Sequence, residues 1–160
     1  MNNKNILYHN IQRKKIIFDN FNYPTNQVEW EKLKAISSEW QVPISTFRNL
    51  TGSCGDILHL LIKARDNYIE KIYFSGQQSC LLTISSCNIL SSYLENKDLT
   101  TGRKIITNFQ SMLKGGKYFL DNYPNLQVFS DMPRFPHRRE CVNLAVEGIV
   151  SILFSKIKTN

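Results

Sequence analysis

The sequence predicts an α+β domain, a small antiparallel β-sheet with α-helices packed on one face. Three observations carry this. Two short apolar or alternating runs, 57–64 and 69–75, flank Arg65-Asp66-Asn67-Tyr68 and read as a β-hairpin. Apolar residues recur at helical spacing before and after it. The resulting order of helix, hairpin and then helices is that of helices covering one face of a small sheet.

Each element has its own signal. Residues 5–20 read as a helix through Ile6, Leu7, Ile11, Ile16 and Ile17, and the turn-rich stretch from Asn20 to Asn26 stops it. Val28, Trp30, Leu33, Ile36 and Trp40 make 27–42 a second amphipathic segment. Ile69, Ile72 and Phe74 are expected to carry most of the hairpin's apolar surface. From Ser79 to Leu94 the pattern turns helical again, with Leu81, Leu82, Ile84, Ile89, Leu90 and Leu94 on a broad buried face. Asp98 and Thr100 offer N-caps for a helix over 99–113, closed by Gly115-Gly116. A looser stretch, 117–137, holds Pro124, Pro133 and Pro136. The last helix starts near Pro136 and carries Val142, Leu144, Ala145, Ile149, Ile152 and Leu153. No internal repeat or linker interrupts the chain, so 1–160 is expected to form a single domain.

Composition bounds the function. The chain has 160 residues, 42% hydrophobic and 21% charged, which is ordinary for a globular domain and unlike a disordered chain. Apolar runs such as Leu60-Leu61-Ile62 fall far short of the ~20 residues of a membrane span. The opening MNNKNILYHNIQRKKIIF lacks the apolar stretch of a signal peptide, so a cytoplasmic location is expected. The net charge of +7 suits nucleic acid, acidic membrane or an acidic protein equally. No RNP, zinc-knuckle or basic-helix pattern supports a nucleic-acid module.

The four cysteines, Cys54, Cys80, Cys87 and Cys141, are more informative. Without an export signal they are expected to be reduced thiols. Cys54 and Asp56 stand two residues apart, so an extended backbone turns both to one side, and Gly55 between them permits a bend. Cys80 and Cys141 fall at or near predicted helix amino termini, where partial positive charge favours a thiolate. Three sulfurs and one carboxylate suit tetrahedral zinc, with Arg138 and Arg139 as candidate donors to the resulting negative charge. Spacing alone, with no CxxC pair, favours scattered core cysteines over a metal site. Cys87 lies two helical turns beyond Cys80, roughly 10 Å away, and reads as a buried filler.

The motifs resemble the NifU-like iron–sulfur cluster assembly family across about residues 7–153. The opening helix with its Asn-Pro turn, Ser53-Cys54-Gly55-Asp56, Phe74-Ser75-Gly76 leading to Cys80, and Arg134-Phe135-Pro136-His137-Arg138-Arg139-Glu140-Cys141 look like the family's motifs in order. The long interval between Cys80 and Cys141 resembles the SufU-type branch. The resemblance implies a zinc site of Cys54, Asp56, Cys80 and Cys141. It also implies a pyridoxal-phosphate-dependent cysteine desulfurase as partner, with Cys54 as persulfide acceptor, in a zinc-dependent sulfurtransferase. Its scaffold members imply the alternative, a transient [2Fe–2S] cluster, and hence iron, passed on to acceptor apo-proteins. Three positions depart from the pattern. Ser79 stands where the family commonly has glycine, in a loop one residue longer. Glu140 replaces His or Lys before the last cysteine and is expected to face outward. Arg139 occupies a typically apolar position.

Overall fold

The computed structural model describes residues 3–50 and 54–155. Among them are five α-helices and four strands, in the order α1 (Asn3–Asn22), α2 (Trp30–Trp40), β1 (Ser45–Arg48), β2 (Ile57–Arg65), β3 (Tyr68–Ser75), α3 (Leu81–Leu94), β4 (Lys97–Asp98), α4 (Leu99–Leu113) and α5 (Pro136–Phe154). Ser53 of the quoted motif lies outside the described residues.

The hairpin of β2 and β3 organises the sheet. Its two-residue turn, Asp66-Asn67, has φ of 49° and 65°, left-handed values that Asp and Asn tolerate and that match the twist of paired strands. β1 and β4 flank the hairpin, giving an antiparallel sheet in the order β1-β2-β3-β4. Both outer strands are shorter than sequence periodicity can register, at four and two residues. On β2, Leu58, Leu60 and Ile62 point into the main core beneath α3, α4 and α5. The alternate residues meet α2. Trp30 packs on His59 with ring centroids 4.4 Å apart, Trp40 stacks on Tyr73 at 5.6 Å, and Leu33 and Leu61 are fully buried. α2 thus covers part of the face opposite the main helical layer.

α3 runs through the centre. Every residue from Thr83 to Ser91 is buried, so its serines sit inside the protein. Two of their hydroxyls turn to backbone carbonyls: Ser85 Oγ donates to Leu82 O, and Ser86 Oγ to Thr83 O and to Val142 O of α5. The segment after α1 is fastened by Asn26, 2% exposed, whose Nδ2 donates to Ile72 O at 2.8 Å and Glu95 Oε1 at 2.6 Å. α4 starts where its cap predicts, with Asp98 accepting from Thr101 N at 2.8 Å. The looser stretch holds two 3₁₀ helices, Pro124–Phe129 and Met132–Arg134, before Pro136 opens α5. No helix of the described residues is long and apolar enough to cross a membrane.

Candidate metal centre

Three elements bring the site together. The chain enters β2 through Cys54-Gly55-Asp56. Gly55 has φ of +62°, so a left-handed bend, rather than a continuous extended strand, turns Cys54 and Asp56 toward one point. β1 supports this entry from the side, with Asn49 N–H donating to Asp56 O at 2.9 Å. Cys80 is the N-cap residue of α3. The longer loop before it is drawn in by Ser79, whose N–H donates to Gly76 O at 2.9 Å and whose hydroxyl donates to Ile57 O at 2.7 Å. That pair of bonds folds the loop in toward β2 just before Cys80. Cys141 lies on the buried face of α5.

Cys54 Sγ, a carboxylate oxygen of Asp56, Cys80 Sγ and Cys141 Sγ all lie within 4.8 Å of one another. Cys54 is exposed, Cys80 half-buried, and Asp56 and Cys141 are buried at 1% and 2% exposure. Asp56 Oδ1 accepts from Cys80 N–H at 2.7 Å, and Oδ2 lies 3.7 Å from Cys80 Sγ. Ligands of tetrahedral zinc at a Zn–S distance of about 2.3 Å stand about 3.8 Å apart, so a small contraction of this set would enclose such an ion.

The electrostatics favour a cation there. Burial pushes the Cys141 thiol well above its ordinary range, and Cys80, Asp56 and Cys54 beside it push the same way. Burial also raises Cys80, and Asp56 adds to it, against hydrogen bonds from Thr83 that pull it down. Asp56 has no ion-pair partner among the described residues although it is buried. A buried carboxylate among three sulfurs is costly until a positive charge joins it. The donor set therefore fits a divalent metal.

The flanking charges sit elsewhere than expected. Arg138 places its guanidinium 5.3 Å from the Phe135 ring centroid, and Arg139 reaches Glu140 at 3.8 Å. The polar groups described at the sulfurs are instead Asn49 Nδ2, which donates to Cys141 Sγ at 3.8 Å, and the Thr83 hydroxyl, 3.6 Å from Cys80 Sγ. Asn49 carries no sequence signature. Thr83 could be found from helical spacing, one turn past Cys80, whereas Asn49 is set by the pairing of β1 with β2. Glu140 stands outside the four-residue group. Cys87 is fully buried away from it, its thiol pushed up to about 12 by burial.

No family model matches the chain. The iron–sulfur cluster assembly scaffold protein IscU of Thermotoga maritima is 24% identical over 93 residues, 58% of this chain and 65% of that relative. The match thus spans just under two thirds of the relative's length. A candidate iron–sulfur cluster assembly scaffold protein for the SUF system from Fervidobacterium islandicum AW-1 superposes with a TM-score of 0.68 at 19% identity, covering 84% of this chain and 90% of that one. The chain has the IscU/NifU-like fold. A nitrogen-fixing NifU-like protein (N-terminal) from Brucella abortus gives a TM-score of 0.66 at 14% identity, over 89% of this chain and 94% of its own. The α+β architecture read from the sequence is that of these IscU/NifU-like neighbours, and the SufU-type resemblance is consistent with them.

Proposed function

We propose that this protein works in iron–sulfur cluster assembly, accepting persulfide sulfur from a pyridoxal-phosphate-dependent cysteine desulfurase on Cys54, with Cys54, Asp56, Cys80 and Cys141 holding zinc. The observation that carries the reading is the convergence of these four side chains within 4.8 Å, with Cys54 exposed. Bound zinc would supply a lowered thiol pKa and a neutralised charge at the cluster. The chain's own residues do the rest. Asp56 keeps Cys80 in place through the Cys80 N–H, and the Gly55 bend lets Cys54 move without dragging β2. The Cys54 thiolate attacks the outer sulfur of the partner's persulfide. A new S–S bond forms, the old one breaks, and the partner's cysteine leaves as a thiolate.

The names of the Thermotoga and Fervidobacterium proteins favour a second reading, a scaffold on which the three cysteines carry a transient [2Fe–2S] cluster as cargo for acceptor apo-proteins. A zinc assay and anaerobic reconstitution separate the two. Sulfur transfer predicts bound zinc and faster desulfurase turnover, lost in Cys54→Ser while the fold persists. Full stimulation by Cys54→Ser would remove Cys54 from the mechanism. A stable visible chromophore handed to an apo-protein would support the scaffold instead.

A further inference from the structure

Sulfur transfer asks one sulfur to leave and the others to stay, and the site is built unevenly for that. Cys54 is exposed and precedes the left-handed bend at Gly55. Cys80 Sγ faces Thr83 Oγ1 at 3.6 Å, and the same hydroxyl donates to Cys141 O at 3.0 Å, tying α3 to α5 between the two inner sulfurs. Outside the four-residue cluster, the Cys141 sulfur has two polar neighbours among the described residues. As a thiol it donates to His137 O at 3.7 Å. The carbonyl can only accept, so it offers nothing to the lone pairs of a sulfur, whereas an amide N–H donates to them. Asn49 Nδ2, at 3.8 Å, is such a donor. Asn49 is 9% exposed and held against the entry to β2 by its own N–H on Asp56 O.

We propose that Asn49 is a positioning residue: its side-chain amide fixes the Cys141 sulfur in place, so that Cys141 stays a ligand and Cys54 is the sulfur released to the incoming persulfide. The inference rests on the sulfur-transfer reading and adds to it the group that makes the three sulfurs unequal. Donors beyond the ligand set commonly contribute 10–100-fold to metal affinity, and the long N···S distance places Asn49 near the lower end, roughly tenfold.

The test uses the full chain loaded with zinc, and separately with cobalt(II), as wild type, Asn49→Ala and Asn49→Leu. Leucine nearly matches the shape of asparagine without a donor, so it fills the same space if alanine leaves the site slack. Iodoacetamide modification followed by peptide mass spectrometry gives a rate for each cysteine, and unreactive Cys87 reports that the core is intact. In wild type, Cys54 is expected to react first and Cys141 to be protected. In both variants Cys141 should react roughly tenfold faster with Cys80 unchanged, and the sulfur-to-cobalt charge-transfer band should move. Unchanged Cys141 protection and an unmoved band in both variants overturn the role of Asn49 alone. Failure of the wild type to take up either metal defeats the sulfur-transfer reading itself, and this inference with it.

Discussion

Asp56 has a hydrogen-bonding duty in the structure and, in the proposed function, a second as a metal ligand, and two substitutions separate them. Its Oδ1 accepts the Cys80 N–H at 2.7 Å, and its carboxylate is one of the four converging groups. Asp56→Asn keeps an acceptor for that N–H and removes the charge. Asp56→Ala removes both and leaves a partly buried donor at the start of α3 without its partner. An orphaned donor of this kind costs about 1–3 kcal/mol. For a chain of this length each kcal/mol moves the melting temperature by about 2–4 °C, so in the presence of a chelator Asp56→Ala should melt roughly 2–12 °C below Asp56→Asn. Zinc then tests the second duty. At a free concentration one hundred times its dissociation constant, zinc stabilises the folded chain by about 2.7 kcal/mol. Each tenfold loss of affinity removes about 1.4 kcal/mol of that. Both variants should therefore gain less from zinc than wild type does. Thermal unfolding followed by circular dichroism, with chelator and with buffered zinc, reads both effects. Coincident melting of the two variants in chelator would refute the hydrogen-bonding argument. Equal zinc-induced shifts in all three proteins would remove Asp56 from the ligand set.

Two further outcomes test the surrounding architecture. A Cβ at Gly148 would lie 2.7 Å from Leu60 Cδ1 and 2.9 Å from Phe47 Cδ2, so Gly148→Ala should destabilise the fold by about 1–3 kcal/mol in chemical denaturation, and a neutral result would show that α5 can move off β1 and β2 freely. Burial and Glu140 raise the Glu147 carboxyl above its ordinary 4.5, so the folded chain favours the protonated form and loses stability as pH rises through the folded value. Glu147→Gln keeps an acceptor for Asn143 Nδ2 and should melt higher than wild type at neutral pH, with the difference vanishing below pH 4.5; an advantage that persists in acid would refute the assignment.

The hairpin and helices were legible because each has a local cause. The Asp66-Asn67 turn, the Asp98 cap and Pro136 at the start of α5 are short-range signals, and the structure uses all three. α1 continues to Asn22, two residues past the end expected from its turn-forming sequence. β1 and β4 were not legible. Ser45–Arg48 follows Pro43 and has too few residues to show alternation, and Lys97–Asp98 pairs only because α3 and α4 deliver it beside Tyr68. The candidate ligands were legible as residue types and through family resemblance, while their meeting depends on the tertiary path of β2, α3 and α5. Asn49 was invisible for the same reason. Its place follows from the register of Arg48 against Ile57, which no one-dimensional pattern encodes. The expected guanidinium donors failed because Arg138 follows the Phe135 ring and Arg139 follows Glu140.

Cys54 and Asp56 come from the same entry to β2, while Cys80 and Cys141 come from α3 and α5. The strand therefore grips the shared point twice and each helix once. If the outer cysteine lets go, the aspartate two positions on still moors that strand, and the three-way knot between sheet and helices stays tied. On the proposed function, an arrangement of this kind would let one ligand depart without loosening the fold that carries it.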